Sequence, residues 1–219
     1  IGNYDQAEEL YNDVLFKNEK TLGPNHPNTL LTVNNLGLLY HNKGDYEKAE
    51  AFFRRSIEGN QIALGKDHPT TLTSIGNLAM VYNDIGNYDQ AEELYNDVLF
   101  KKEKTLGPNH PDTLLTVNNL GMLYYTKGED TKNYKEAKVY YEKAEQFFFK
   151  AWDEFKKTLY PNKQYLMQTT ENLASVYTQL ENNDRAIKYY KILIELQENE
   201  LGADAYETLS SVNTLGLAY

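Results

Sequence analysis

Histidine is the residue type in this chain with the most chemistry to offer, and there are four of them. Three, His26, His68 and His110, each stand directly before a proline and recur every 42 residues. Converging imidazoles would make a metal site or a proton relay. Residues placed once per repeat, at the same point of the repeat, do not converge on one ion or nucleophile. At that point the imidazole is instead expected to bond to backbone groups at the start of a helix. His41 stands alone. The chain has no cysteine, which removes thiolate zinc sites, disulfides and thiol nucleophiles. No Ser/His/Asp set, phosphate-cradling loop or paired-carboxylate pocket emerges, so the expectation is a protein that is not an enzyme, with no cofactor and no metal. The acidic residues of QAEEL and YEKAE lie beside lysines and read as solvated charge on exposed helix faces.

The charge balance excludes further partners. A formal net charge of -10 sets a negative field over much of the surface, which repels nucleic acid and anionic lipid alike. An apolar content of 41% suffices for a buried core. No apolar run approaches the roughly 20 residues of a membrane span, and the opening IGNYDQAEEL has neither the basic region nor the apolar core of a signal peptide. The compartment is left open. Tyrosine is abundant at 19 residues, and only its placement can decide between packing and binding.

That placement is periodic. Tyr40, Tyr82, Tyr124, Tyr177 and Tyr219 close the related segments NNLGLLY, GNLAMVY, NNLGMLY, ENLASVY and NTLGLAY, at spacings of 42, 42, 53 and 42. Nine residues beyond Tyr40, Tyr82 and Tyr177 stand Ala49, Ala91 and Ala186, and Ala7 holds the same position ahead of the first tyrosine. Residues 1–40 match residues 85–124 at 37 of 40 positions, so a block of two repeats has been duplicated. Each unit reads as two helices. Leu30, Val33, Leu36, Gly37 and Tyr40 share one face of a helix A, and Tyr46, Ala49, Phe53 and Ile57 share one face of a helix B. Gly23 and Gly44 suit helix ends, Pro27 a first turn, and Asn3 and Asp45 N-caps. Small residues at Gly37, Ala79, Gly121, Ala174 and Gly216 allow helix B to approach closely. No segment reads as a strand.

A small residue followed three later by Tyr, then Gly, then Tyr-x-x-Ala and an aromatic four residues on, resembles the tetratricopeptide repeat. The leading LGPNHPNTL and the 42-residue period are similar to its kinesin-light-chain type. The implied fold is all-α, a right-handed α-solenoid of helix-turn-helix repeats. It would be a single solenoid over 1–219 with about five units: helix B alone in 1–22, then 23–64, 65–106, 107–159, 160–201, and helix A alone in 202–219. The third unit has eleven extra residues, which displace its alanine to Ala144. Eleven residues make about three turns, so a lengthened helix B is expected to keep Tyr134, Ala137, Tyr141, Ala144, Phe148, Ala151 and Phe155 on one stripe. The LGPNHP motif decays to LYPNKQ at 159–164 and LGADAY at 201–206, so the last two A helices are expected to start at a different angle.

The resemblance implies that one face of each helix A lines a concave, peptide-binding groove. That face offers Leu31, Asn34, Asn35 and Leu38, then Thr73, Asn77 and Met80, then Leu115, Asn118, Asn119, Met122 and Tyr125. Gln168, Glu171, Asn172 and Ser175 follow, and finally Ser210, Asn213, Thr214 and Leu217. Asn35, Asn77, Asn119 and Asn172 form a ladder of amides, each both donor and acceptor, open either to the main chain of an extended peptide or to inter-helix groups and water. No lysine or arginine lies on this face, which disfavours a carboxylate or phosphate clamp. A second candidate is an aromatic docking patch of Tyr140, Phe147, Phe149 and Trp152, if the inserted turns project; the alternative is that these rings pack against adjacent B helices. The expected partner is a protein or peptide segment. Because neither terminal helix has its repeat partner, the chain is also expected to be a slice of a longer array or to self-associate end to end in a fibrous assembly. A scaffold would be cytoplasmic and a fibre subunit extracellular.

Overall fold

The structure, a computed structural model, describes residues 3–157 and 162–219. Among the described residues it is all helix and turn. The helices are α1 (Tyr4–Leu22), α2 (Pro27–Asn42), α3 (Tyr46–Ala63), α4 (Pro69–Asp84), α5 (Tyr88–Thr105), α6 (Pro111–Glu129), α7 (Tyr134–Lys157), α8 (Lys163–Gln179), α9 (Asn183–Leu201) and α10 (Tyr206–Ala218). Odd-numbered helices are the B type and even-numbered ones the A type. The chain divides into two compact units, Ile1–Gly107 and Pro108–Tyr219, and the boundary falls between two repeats.

The punctuation works through backbone geometry. Gly23, Gly65 and Gly202 adopt φ of 95°, 102° and 96°, a region where a side chain would be strained. The carbonyl of each accepts a threonine hydroxyl from the next helix: Thr29 at 2.8 Å, Thr71 at 2.8 Å and Thr208 at 2.9 Å. That hook explains a departure from expectation. LGADAY has lost the histidine and proline, yet Ala205 holds φ -65° and ψ 144°, close to the -68° and 140° of His26. Thr208 and Gly202 keep the turn, so α10 leaves it with the same local backbone as α2. The start of the LYPNKQ segment lies outside the described residues. From Asn162 onward, the side chain of that residue caps α8 by accepting from the Tyr165 amide.

The core of each helix pair is the predicted one. Leu30, Val33, Leu36, Ala49 and Phe53 are buried between α2 and α3, as are Leu120, Ala144 and Phe148 between α6 and α7. A Cβ on Gly37 would stand 2.6 Å from the Phe53 ring, and one on Gly121 would stand 2.5 Å from Phe148, so both glycines set the helix separation. Gly216, the equivalent residue of α10, faces open space.

The insertion in the third unit is shared between two helices, which corrects the expectation of a longer helix B alone. α6 has 19 residues against the 16 of α2 and α4, and α7 has 24 against the 18 of α3 and α5. Lengthening both arms of an antiparallel pair keeps each added turn packed on the other. Seven residues beyond Gly121 is Gly128, whose added Cβ would meet the Tyr141 ring at 2.6 Å; Tyr141 lies seven residues before Phe148. The small-residue-to-ring contact is therefore repeated two turns further along the pair. The α7 stripe is buried from Ala137 to Phe155, while Tyr134 at its first turn is 49% exposed.

Candidate functional site

The A helices gain their exposed face by elimination, since Leu36, Gly37 and Tyr40 of α2 and their equivalents in α4, α6 and α8 are consumed by packing. In the first unit Asn35 and Leu38 remain half-buried and Leu31 is 55% exposed. Asn35, Leu38 and Asn42 join Tyr4, Ala7 and Tyr11 of α1 around a cleft of about 280 Å³. On α4, Asn77 and Met80 are half-buried. In the second unit Met122 and Tyr125 of α6 converge with Glu171, Asn172 and Ser175 of α8 over the Phe148 ring of α7, enclosing about 160 Å³. Asn213 and Leu217 of α10 are exposed and do not join that cleft.

The amide ladder is partly spent on packing. Asn34 is buried, and its Oδ1 accepts from Asn77 Nδ2 at 3.1 Å and from Ser74 Oγ at 3.2 Å. Asn118, also buried, accepts from Asn172 Nδ2 at 2.9 Å. Each pair ties one helix A to the next helix A within its unit. Asn34 and Asn118 are thus fixed structural acceptors, and Asn77 and Asn172 have each committed one of their two N–H groups while keeping an acceptor oxygen. Asn35 and Asn119 have no side-chain hydrogen bond among the described residues. A buried polar chain continues from Ser74 through Ser56 at 2.9 Å to Asn60 at 3.2 Å. The Asn60 Oδ1 at its end has no partner among the described residues, a position suited to a bridging water.

Tyr125 forms one wall of the second-unit cleft. Its ring stands 5.6 Å from that of Tyr141, and its hydroxyl accepts from Gln179 Nε2 at 3.4 Å. Burial pushes its phenol up to about 12, with the nearby Glu129 carboxylate adding to the rise. The phenol is therefore neutral at ordinary pH, and among the described residues Glu171 is the one charged group lining the cleft.

The aromatic patch does not assemble as expected. Trp152 is 7% exposed, its Nε1 donates to Thr170 Oγ1 at 3.0 Å, and its ring meets Tyr189 edge-on at 5.3 Å. It packs α7 against α8 and α9. Phe147 stacks on Tyr124 at 5.6 Å, as Phe52 stacks on Tyr40 at 5.4 Å, which is the ordinary business of its repeat position. Phe149 is 45% exposed, and Tyr140 is half-buried beneath Lys127, 5.3 Å from its ring centroid. Counting from the alanine would have placed Trp152 correctly: it lies eight residues beyond Ala144, as Ile57 lies eight beyond Ala49.

Two further expectations are corrected. The acidic residues of QAEEL and YEKAE are not all solvated charge, because Glu8, Glu50 and Glu145 accept the hydroxyls of Tyr40, Tyr82 and Tyr177 at 2.7, 2.9 and 2.7 Å. The repeat-closing tyrosine thus anchors α2, α4 and α8 each to the helix B before it. Lys43 completes the first of these clusters at 2.8 Å from Glu8 and, with the Tyr40 hydroxyl, holds that carboxyl below its ordinary range. His41 is not alone either. Its Nε2 lies 2.7 Å from Asp84 Oδ2, and its ring meets Tyr46 edge-on, so the imidazole pKa is raised, chiefly by the bond to Asp84. His26, His68 and His110 cap their helices as expected, each Nδ1 accepting from the backbone amide two residues on at 3.2 Å.

A family model described as tetratricopeptide repeat matches residues 1–62 and 31–99, and a second of the same description matches residues 169–203. No curated protein matches the chain in sequence. Among solved structures, a protein from Podosopora anserina, described as a kinesin light chain with nearly identical TPR-like repeats, is similar. It shares 23% identity over 91% of this chain and 90% of that one, with a TM-score of 0.64. BtubC (BKLC) from P. vanneervenii shares 23% over 92% of this chain and 76% of that one, at 0.66. A tetratricopeptide repeat protein from Parabacteroides merdae shares 18% over 98% and 77%, at 0.53. At these identities the likeness is one of fold. Among the described residues no helix is long and apolar enough to cross a membrane.

Proposed function

The chain belongs to the tetratricopeptide-repeat family, and on that premise we propose that it is a non-catalytic scaffold that binds an extended peptide or protein segment along the exposed face of its A helices. Repeats of this family generally bind proteins or peptides and are generally non-catalytic. The observation that carries the finer reading is the split in the asparagines. Asn35 and Asn119 keep both donor and acceptor free, and Asn77 and Asn172 each keep an acceptor. Half-buried amides beside Leu38 and Met122 offer main-chain hydrogen bonding with apolar contact on either side, which is what an extended peptide needs whatever its sequence.

The test is a display selection of peptides against the intact chain, followed by titration of the selected peptides into the Asn35→Ala, Asn119→Ala double variant. Losing two hydrogen-bonding amides should weaken binding about tenfold or more, at about 1 kcal/mol per hydrogen bond, with helicity and melting unchanged. Selected peptides that bind wild type and variant equally would remove the asparagines from the site.

A further inference from the structure

The geometry points to a cationic specificity for this face: the second-unit cleft takes the side chain of a lysine from the bound segment. The inference rests on the A-helix binding reading and adds the chemistry of one subsite. The cleft is small, about 160 Å³, on the scale of a single side chain rather than of the drug-sized pockets of roughly 300 Å³ and above. Its floor and walls are Phe148, Met122 and Tyr125, suited to the methylene stem of a long side chain.

Each polar group at its rim offers an acceptor. Glu171 is exposed and makes no hydrogen bond or ion pair among the described residues, so its carboxylate is uncommitted. Asn172 has given one N–H to Asn118 and presents Oδ1. Ser175 is half-buried with its hydroxyl unpaired among the described residues. An ammonium group has three donors and no acceptor, and so matches such a rim. Charge complementarity supports the same occupant. Among the described residues no cation lines the cleft, Glu129 lies near the Tyr125 phenol, and the net charge of -10 draws basic segments from a distance. An acidic segment would meet a carboxylate with nothing to pair it.

The probe is a capped peptide carrying Leu-Lys-Leu between glycine and serine residues, together with versions that have norleucine or glutamate in place of the lysine. Each is titrated into the isotopically labelled full chain, following the backbone amide signals of Tyr125, Asn172 and Ser175. The lysine peptide is expected to shift these signals and to bind at least threefold more tightly than the norleucine peptide, with the glutamate peptide weakest. Glu171→Gln should weaken the lysine peptide about three- to fivefold, as for a partly exposed ion pair, and leave the norleucine peptide unaffected. Glu142→Gln makes the same charge change on an exposed site of α7 and should have no effect. Equal binding of lysine and norleucine peptides, or equal losses in the two Glu variants, overturns the inference. If all three peptides bind alike at these residues, only the lysine subsite falls. If none moves any of these signals or those of Asn35 and Asn119, the A-helix reading falls with it.

Discussion

Trp152 separates a packing residue from a docking residue, and the two roles differ by several kcal/mol. An exposed aromatic can be removed for about 0.5 kcal/mol or less. Trp152, at 7% exposure, has most of its ring out of water among α7, α8 and α9. Burying an aromatic side chain removes about 150–250 Å² from solvent, which at about 25 cal/mol per Å² is about 4–6 kcal/mol. Alanine keeps a little of that area, and truncations of this kind cost about 3–5 kcal/mol. Trp152→Ala should therefore destabilise the second unit by about 3–5 kcal/mol, or roughly 6–20 °C in melting temperature for a protein of this size. Trp152→Phe keeps a ring in the slot and loses the bond to Thr170 Oγ1. Because the Thr170 hydroxyl still donates to the Leu166 carbonyl at 2.6 Å, no donor is orphaned and the cost should fall to about 1–2 kcal/mol. Urea unfolding followed by far-ultraviolet circular dichroism measures both variants. Since this is the only tryptophan in the chain, acrylamide quenching reports its exposure directly. A loss below about 1 kcal/mol in the alanine variant, or quenching as fast as that of free indole, would refute the packing role.

Other positions give sharp tests. Glu181 stands at φ 57°, in the place where Gly44 and Gly86 end the earlier A helices at 77°; Glu181→Gly should stabilise the chain by about 1 kcal/mol by relieving left-handed strain, and chemical denaturation with no gain would show that the turn carries none. The His41 pair with Asp84 gives a pH signature. Its imidazole pKa is raised in the folded state, so the pair's contribution is complete below the unfolded value of about 6.5 and is lost as pH rises through the higher folded value. The melting advantage of wild type over His41→Asn should accordingly shrink between pH 6 and pH 8.5, whereas an advantage that is constant across that range would mean that the bond does not depend on the charged imidazole.

What the sequence makes legible is whatever recurs. Helix positions, caps, turn glycines and the buried stripes all follow from spacing, because a residue that returns every 42 positions has a role that its local backbone dictates. The threonine hook is as periodic as the proline beside it, but proline and histidine are the more conspicuous residues, and so LGADAY looks more altered than it is. Periodicity speaks about one helix at a time, so the insertion reads as the lengthening of a single helix. Sharing it between α6 and α7 depends on Gly128 finding Tyr141 across the pair, a contact between helices. The Tyr–Glu anchors are likewise invisible along a single helix: Tyr40 and Glu8 are 32 residues apart, and only the antiparallel fold brings the phenol to the carboxylate. Trp152 is left open between docking and packing for a simpler reason, since a run of aromatics in FFFKAWDEF suggests a surface excess until each is numbered from Ala144.

The asparagine doublets show how a packing device can release a binding residue. In NNLG the first asparagine, Asn34 or Asn118, accepts from the second asparagine position of the following repeat, Asn77 or Asn172. That requires an acceptor amide in one repeat and a donor amide in the next. The second repeat has Gly76 at the first position, with no side chain to offer. The fourth has Glu171, and the repeat after it supplies Thr214 where a donor amide would be needed, so no such bond forms from Glu171 within the described residues. The doublet therefore stitches repeats one to two and three to four and leaves the first position of the fourth repeat without a structural task. A carboxylate there is tolerated because nothing is packed on it. It stands at the rim of the cleft because the stitch from Asn118 holds the neighbouring Asn172 in place. Glu171→Asn should leave melting unchanged and remove the preference for lysine over norleucine, since the following Thr214 hydroxyl already donates to the Ser210 carbonyl at 3.0 Å and an amide has no charge to offer a cation. A variant that gains stability would show that a stitch to α10 can form after all, and the carboxylate would then be a lost packing residue and not a site.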